Sequence, residues 1–261
     1  MEFKQVKIST NLSEFFGDNF KKKWNLVDYH DINQPAIFFG IYTKSDRTFL
    51  QNHKGKSLVI WGGSDLERID SINLVKKLID SGKSYTWVYP GFFSEILNQY
   101  KVKHKKIFVP IKNYDEFKPT ILGDKIYVYK GILGNRDKYF KWNEVIKPII
   151  DHFGEDKILF TQNESIENLK KNYYEKSFVY IKPNEKGGCT TMFEMAHMDR
   201  KTIGLGFEDN DFFLNYKTTQ HLINLIELES QKIGKINYEV SNSIKNTFIS
   251  DNSWLYSEYY G

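Results

Sequence analysis

The chain has a single cysteine, Cys189, which excludes an internal disulfide and a zinc site built from cysteines. In the glycine turn where it sits, a small neutral filler is a simpler reading than a nucleophile, since no neighbouring feature marks a partner base. No apolar run approaches the roughly 20 residues a membrane-crossing helix needs. The opening residues MEFKQVKIST also lack the apolar core of a secretory leader. A soluble protein of a reducing compartment, the cytoplasm, is therefore expected. Strong charge of one sign is missing too: 37 Lys and Arg stand against 33 Asp and Glu, a net +4. So mild an excess does not by itself mark a nucleic-acid binder. The dinucleotide fingerprint G-x-G-x-x-G fails at Gly187-Gly188, because no third glycine follows in the helix, and NAD binding is disfavoured.

What is present is core material. Of 261 residues, 40% are hydrophobic and 16% aromatic, enough for two domains. Short apolar runs at 36–42, 57–61, 85–89 and 106–110 read as strands, the first two continuously apolar as parallel strands covered on both faces are. Residues 6–9 and 24–29 are further strand candidates, and 12–20 is a short helix or irregular loop. Helical spacing lies between the strands at 71–81 and 92–100. The polar stretch 113–124, with Pro119 and Gly123, marks a junction. Beyond it come strands at 125–129, 157–160, 178–181 and 201–205, and helices at 142–153, 166–174 and 222–233. Strands alternating with helices in this way predict an α/β chain of two Rossmann-like domains with parallel sheets. The expected divisions are 1–122, 123–240, and a C-terminal helix, 241–261, packing back toward the first domain.

Ligands of such sheets gather at the carboxyl ends of strands. Gly40, Gly62, Gly63, Ser64 and Asp65 fall at such ends in the first half. The glycines allow close approach of a ligand; Ser64 and Asp65 read either as caps of the next helix or, for Asp65, as a general base or partner of an acceptor hydroxyl. In the second half, a strand at 178–181, the turn Gly187-Gly188, a helix opening at Cys189-Thr190-Thr191, and a strand at 201–205 form a βαβ unit. Its turn amides and helix start suit a phosphate. Glu194, one helical turn further on, reads either as a solvated residue or as a carboxylate able to accept from a ribose diol. The acidic run 208–211 lacks calcium-loop spacing and reads as a surface loop.

The segment from 173 to 203, with Phe193-Glu194-Met195-Ala196 at its centre, resembles the donor-nucleotide half of GT-B glycosyltransferases, nearest to family 4 of the retaining enzymes. In that family an acidic residue, a Gly-bearing loop and a helix reading E-A-M or E-M-A occur in this order. The second acidic position matches Glu194. The first falls on Lys186, and Glu185, one place earlier, is the acidic candidate. The resemblance implies two domains with a cleft between them and transfer of a sugar from a nucleotide-diphosphate sugar to an acceptor hydroxyl on a glycan, lipid-linked or protein-linked substrate. It implies no cofactor and no essential metal, and leaves peripheral membrane contact open. Lys130, Arg136 and Lys138, in the loop after the first strand of the second half, would hold the diphosphate with Gly187, Gly188, Cys189, Thr190 and Thr191. Glu194 would hold the ribose; Glu185 and Asp65 are catalytic candidates.

Two other functions fit the same fold. Lysine clusters at 21–23 and at Lys101, Lys103, Lys105 and Lys106 around His104 suit either solvated edges or a DNA-base glucosyltransferase. The lysine at position 186 suits a domain that binds nucleotide without transferring sugar.

Overall fold

The computed structural model describes residues 1–129, 140–161, 164–185 and 189–261, with the backbone alone at Cys189. The chain forms two compact units, one of Met1–Asn113 with Phe248–Gly261, the other of Tyr114–Thr247.

In the first unit the elements are β1 (Gln5–Ile8), α1 (Thr10–Trp24), β2 (Val27–Asp28), β3 (Ala36–Phe39), α2 (Lys44–Asn52), β4 (Ser57–Ile60), α3 (Ile69–Asp80), β5 (Ser84–Val88), α4 (Phe92–Gln99) and β6 (Lys105–Lys106). Six parallel strands pair in the order β2-β1-β3-β4-β5-β6. β3 and β4 are buried along their whole length, as their unbroken apolar sequences require.

Three elements differ from the sequence expectation. Residues 24–29 are mostly not strand, because Leu12, Phe16, Phe20 and Trp24 recur every fourth residue and form one stripe of α1. Phe16 and Phe20 pack on Phe39 at 6.0 and 5.1 Å between ring centres. Trp24 closes the helix, with its indole donating to the Pro110 carbonyl at 3.0 Å. α2 had no strong apolar pattern, yet Thr43 and Asp46 form a reciprocal capping box at its start. The strand expected at 106–110 shrinks to β6. Lys21, Lys22 and Lys23 occupy the last turn of α1, where positive charge complements the helix dipole.

Phe248–Gly261 supplies the first unit with Trp254, which is fully buried against Trp24 and Trp87 at 5.1 and 6.3 Å. The returning segment therefore starts at Phe248, later than 241, and is two short 3-10 turns instead of the expected helix, since the helical part of 241–261 ends at Thr247 within the second unit.

The second unit contains β7 (Lys125–Tyr129), α5 (Lys147–Phe153), β8 (Ile158–Thr161), α6 (Ile166–Leu169), β9 (Ser177–Lys182), α7 (Cys189–His197), β10 (Lys201–Gly204), β11 (Phe213–Asn215), α8 (Thr219–Ser230) and α9 (Tyr238–Thr247). Among the described residues, five parallel strands run β11-β10-β9-β7-β8. β7 has the bounds its sequence predicts. β11 was not expected; the acidic run before it is tied to it through Asn215, whose side-chain amide donates to Asp209 Oδ1 at 3.0 Å.

The junction falls at Asn113/Tyr114, ahead of the expected 122/123, because residues 114–122 belong to the second core. Tyr114 stacks on His197 at 4.9 Å, and Phe117 and Leu122 are buried. Arg200 fastens this segment. Fully buried, its guanidinium donates to the carbonyls of Thr120 (3.1 Å), Ile121 (2.7 Å), Tyr174 (3.0 Å), Glu175 (3.1 Å) and Ser177 (3.1 Å), and to that of Met198. Burial lowers its pKa to about 10, which still leaves it charged at neutral pH. Among the described residues, no helix is long and apolar enough to cross a membrane.

Replacing Arg200 with Met strands these carbonyls. The second unit should lose about 3–5 kcal/mol of unfolding free energy. Hydrogen exchange by mass spectrometry should show lost protection across 114–247 and none across 1–113; uniform loss, or none, would contradict the role given to Arg200.

Candidate functional site

Both sheets share one strand order. Counting within each unit, the first strand lies between the second and the third, so the order reverses between β1 and β3 in one sheet and between β7 and β9 in the other. Such reversal points leave a crevice beyond the carboxyl ends of the two central strands, where open α/β sheets bind ligands.

At the first crevice, Ser9 follows β1, Gly40 to Tyr42 follow β3, and Gly62 to Asp65 follow β4. Two buried carboxylates organise these turns. Asp46 Oδ2 accepts from the Ser9 hydroxyl at 2.8 Å and from the amides of Tyr42 and Thr43 at 3.1 and 2.8 Å. Asp65 Oδ2 accepts from the amides of Ile41 and Gly62 at 2.9 and 3.1 Å, while Oδ1 accepts from Gly62 and Gly63 at 3.1 and 2.9 Å. The Ser71 hydroxyl donates to the Ile41 carbonyl at 2.7 Å.

Asp65 is therefore neither cap nor exposed base. The helical turn at Ser64–Glu67 starts after Gly63, and the Asp65 side chain reaches back instead, fully buried with both oxygens engaged. It is a positioning residue, and it consumes the amides of the glycine turn. What Gly63 leaves open is its Cα face: at φ +125°, a Cβ there would meet nothing within 4 Å. Gly40 is different. Its φ is +81°, and a Cβ would come within 2.8 Å of the Tyr42 ring. The same ring brings its hydroxyl to 2.5 Å from a Cβ built on Gly62. Tyr42 is buried and has its pKa raised chiefly by that burial. Sequence reading missed Tyr42 and Asp46; the spacing of Thr43 and Asp46 was the one signal available for the latter.

At the second crevice, β7 and β9 pair with Val128 opposite Ile181. The segments that follow these adjacent strands are those of the expected phosphate contacts. Lys130, Arg136, Lys138, Lys186, Gly187, Gly188 and the side chain of Cys189 lie outside the described residues. Thr190 and Thr191 stand half-buried in the first turn of α7. Glu194 is not a solvated helix residue: it is buried and accepts from the Tyr174 hydroxyl at 2.6 Å. Tyr174 in turn packs edge-on to Tyr127 at 5.3 Å, whose hydroxyl meets Thr161 Oγ1 at 2.7 Å. Burial raises the pKa of both phenols, keeping them protonated donors.

The turn after β9 is held on several sides. Lys182 is buried, and its ammonium donates to the carbonyls of Asn184 and Leu205 at 2.5 and 2.8 Å. The Tyr216 hydroxyl donates to the Pro183 carbonyl at 3.0 Å. Gly206 packs so closely, at φ +95°, that a Cβ would stand 2.4 Å from the Glu185 carbonyl. Glu185 itself is exposed. Lys182 and Tyr216 were missed, because nothing local in the sequence signals that a lysine or tyrosine will spend its donors on carbonyls.

No protein-family model and no curated protein matches the sequence. Solved structures do resemble it. Sucrose-phosphate synthase from Thermosynechococcus elongatus superposes with a TM-score of 0.56 at 12% identity, covering 82% of this chain and 69% of that one. TarM from S. aureus, crystallised as a point mutant with fondaparinux, α-GlcNAc-glycerol and UDP, gives 0.52 at 12% identity over 81% of this chain and 51% of its own. The chain thus spans about half of TarM. The likeness is one of fold: two Rossmann-like units of the GT-B type.

Burial pushes the Asp65 carboxyl up from 3.8 to about 6, although the amides it faces pull the other way. The folded state thus holds this proton more tightly than the unfolded chain. The resulting stabilisation is complete below pH 3.8 and is lost as pH rises through about 6. Buried His53, whose pKa is lowered, acts in the opposite direction. Urea unfolding of the protein and of Asp65→Asn cancels that term. Between pH 7 and pH 4 the stability gap between the two should change by about 2 kcal/mol in favour of the aspartate; a gap independent of pH would contradict the burial argument.

Proposed function

We propose that this protein is a glycosyltransferase that moves a sugar from a nucleotide-diphosphate sugar to an acceptor hydroxyl, needs no metal, and retains the anomeric configuration. One observation carries the reading. The two segments expected to grip a diphosphate follow adjacent parallel strands, β7 and β9, at the reversal point of one sheet, beside the start of α7. Likeness in fold to a sucrose-phosphate synthase and to a protein crystallised with UDP supports it.

In this reading Lys130, Arg136 and Lys138 neutralise the diphosphate as the sugar–oxygen bond breaks, with Arg136 supplying a forked contact. The amides of residues 187–191 share that charge at the helix start. Glu194, oriented by Tyr174, accepts from the ribose hydroxyls. Glu185, on the braced turn after β9, stands by the transferred sugar. Gly40, Gly62, Gly63 and Ser64 form the acceptor side. A neutral hydroxyl suits that crevice better than an anion, since Asp65 has taken up the turn amides.

Titration with UDP-, GDP- and ADP-sugars should find one that binds. Arg136→Ala and Glu194→Ala should each weaken it about tenfold or more, with circular dichroism unchanged. Equal affinity in both variants would remove the proposed donor site. Tight binding without transfer or hydrolysis would identify a nucleotide-binding protein instead of an enzyme.

A further inference from the structure

At the amino-terminal edge of the first sheet lies an open cavity of ≈ 380 Å³. Lys56, just before β4, Tyr85 and Thr86 at the start of β5, Lys103 and Lys105 at the start of β6, and Tyr260 form much of its wall. Ligands of the crevice between β1 and β3 sit at the other end of the strands, so this cavity is not the proposed acceptor crevice.

Its chemistry is cationic. Lys56 donates to the Gly82 carbonyl and lies 5.7 Å from the centre of the Tyr85 ring. Lys105 donates to the Tyr259 carbonyl and stands 3.6 Å from the Tyr259 ring centre. Neutral carbonyls and ring faces hold both ammonium groups in place without cancelling their charge, and each keeps further N–H donors. Among the described residues no acidic side chain lines the cavity; the backbone carboxylate of the last residue, Gly261, is on its wall, and Lys56, Lys103 and Lys105 outnumber it. His104 is a wall and not a contact: Nδ1 is 2.8 Å from the Val102 carbonyl and Nε2 is 2.8 Å from the Ser94 hydroxyl, so both ring nitrogens are engaged. Ile79 and the half-buried Tyr85 ring add apolar surface beside the charges.

We infer that this cavity binds a small phosphate ester, of the size of a sugar phosphate or nucleoside monophosphate. Lys56, Lys103 and Lys105 take the phosphate, and the Tyr85 and Ile79 side takes the body of the ligand. The volume suits such a molecule, since small-molecule pockets begin at about 300 Å³. A bounded concavity of this kind does not track the backbone of a nucleic acid, which asks for a continuous basic groove.

The probes are glucose 6-phosphate and adenosine monophosphate, titrated by calorimetry in about 0.15 M salt, where merely diffuse attraction is screened. Glucose and adenosine serve as uncharged controls. One ester should bind at one equivalent and its control should not; which ester binds tells a sugar phosphate from a nucleotide. Affinity should fall about tenfold in Lys56→Gln/Lys105→Gln and about threefold in Lys103→Gln. Lys103 is exposed, so that variant keeps the test independent of folding. Arg136→Ala should bind as the unaltered protein does, which separates this site from the donor site. Failure of both esters to bind, undiminished binding in the lysine variants, or loss in Arg136→Ala would overturn the inference. So would a short single-stranded oligonucleotide that binds through these lysines when neither ester does.

Discussion

Parallel strands end with backbone groups that the ladder no longer satisfies, and the two units meet this constraint with opposite charges. In the first, surplus N–H groups at the turns after β3 and β4 converge on the buried carboxylates of Asp46 and Asp65. In the second, surplus carbonyls around residues 120–121, 174–177 and 198 converge on the buried guanidinium of Arg200. Neither kind of centre relies on an ordinary ion pair. Each isolated charge is instead solvated by peptide dipoles, which is what makes its burial tolerable. The first crevice inherits its shape from Asp46 and Asp65, and Lys182 plays the same part for the turn leading from β9 toward α7, while Arg200 fastens the opposite, amino ends of the second sheet.

Much of this was legible in the sequence wherever a local rule decides. The unbroken apolar runs of β3, β4, β7 and β9 gave their own positions, and the alternation with helices gave two parallel sheets. Misreadings arose where two rules competed. Trp24 looked like the start of an aromatic strand, but its four-residue spacing from Phe20 and Phe16 made it the end of a helix. The polar segment after Asn113 looked like a linker, yet its few large residues, Tyr114, Phe117 and Leu122, are core. The site was less legible than the fold. Glu194 drew notice from its place in α7, but its partner Tyr174 lies 20 residues away in sequence, and the Thr120 bonded by Arg200 lies 80 away. A lone charged residue gives no sign that folding will bury it among carbonyls or amides. Asp65 was read by its position beside a helix start, while its actual partners lie upstream, on the far side of the turn.

The two edges of the first sheet differ in electrostatic character. At the carboxyl edge the buried charges are negative and are spent on the protein's own amides. At the amino edge Lys56 and Lys105 are partly exposed and held by carbonyls and ring faces. If both proposals hold, one sheet takes a neutral hydroxyl at one end and a phosphate at the other.

Trp254 has an implication for how the chain is made. The second unit is continuous in sequence, whereas the first takes its innermost indole from a segment synthesised after the second is finished. On the ribosome, the earlier-made half must therefore wait with Phe20, Trp24 and Trp87 uncovered, while the later-made half acquires its structure unaided. Order of synthesis and order of consolidation are reversed, and a polypeptide halted near Thr247 would carry one finished half and one that lacks its keystone.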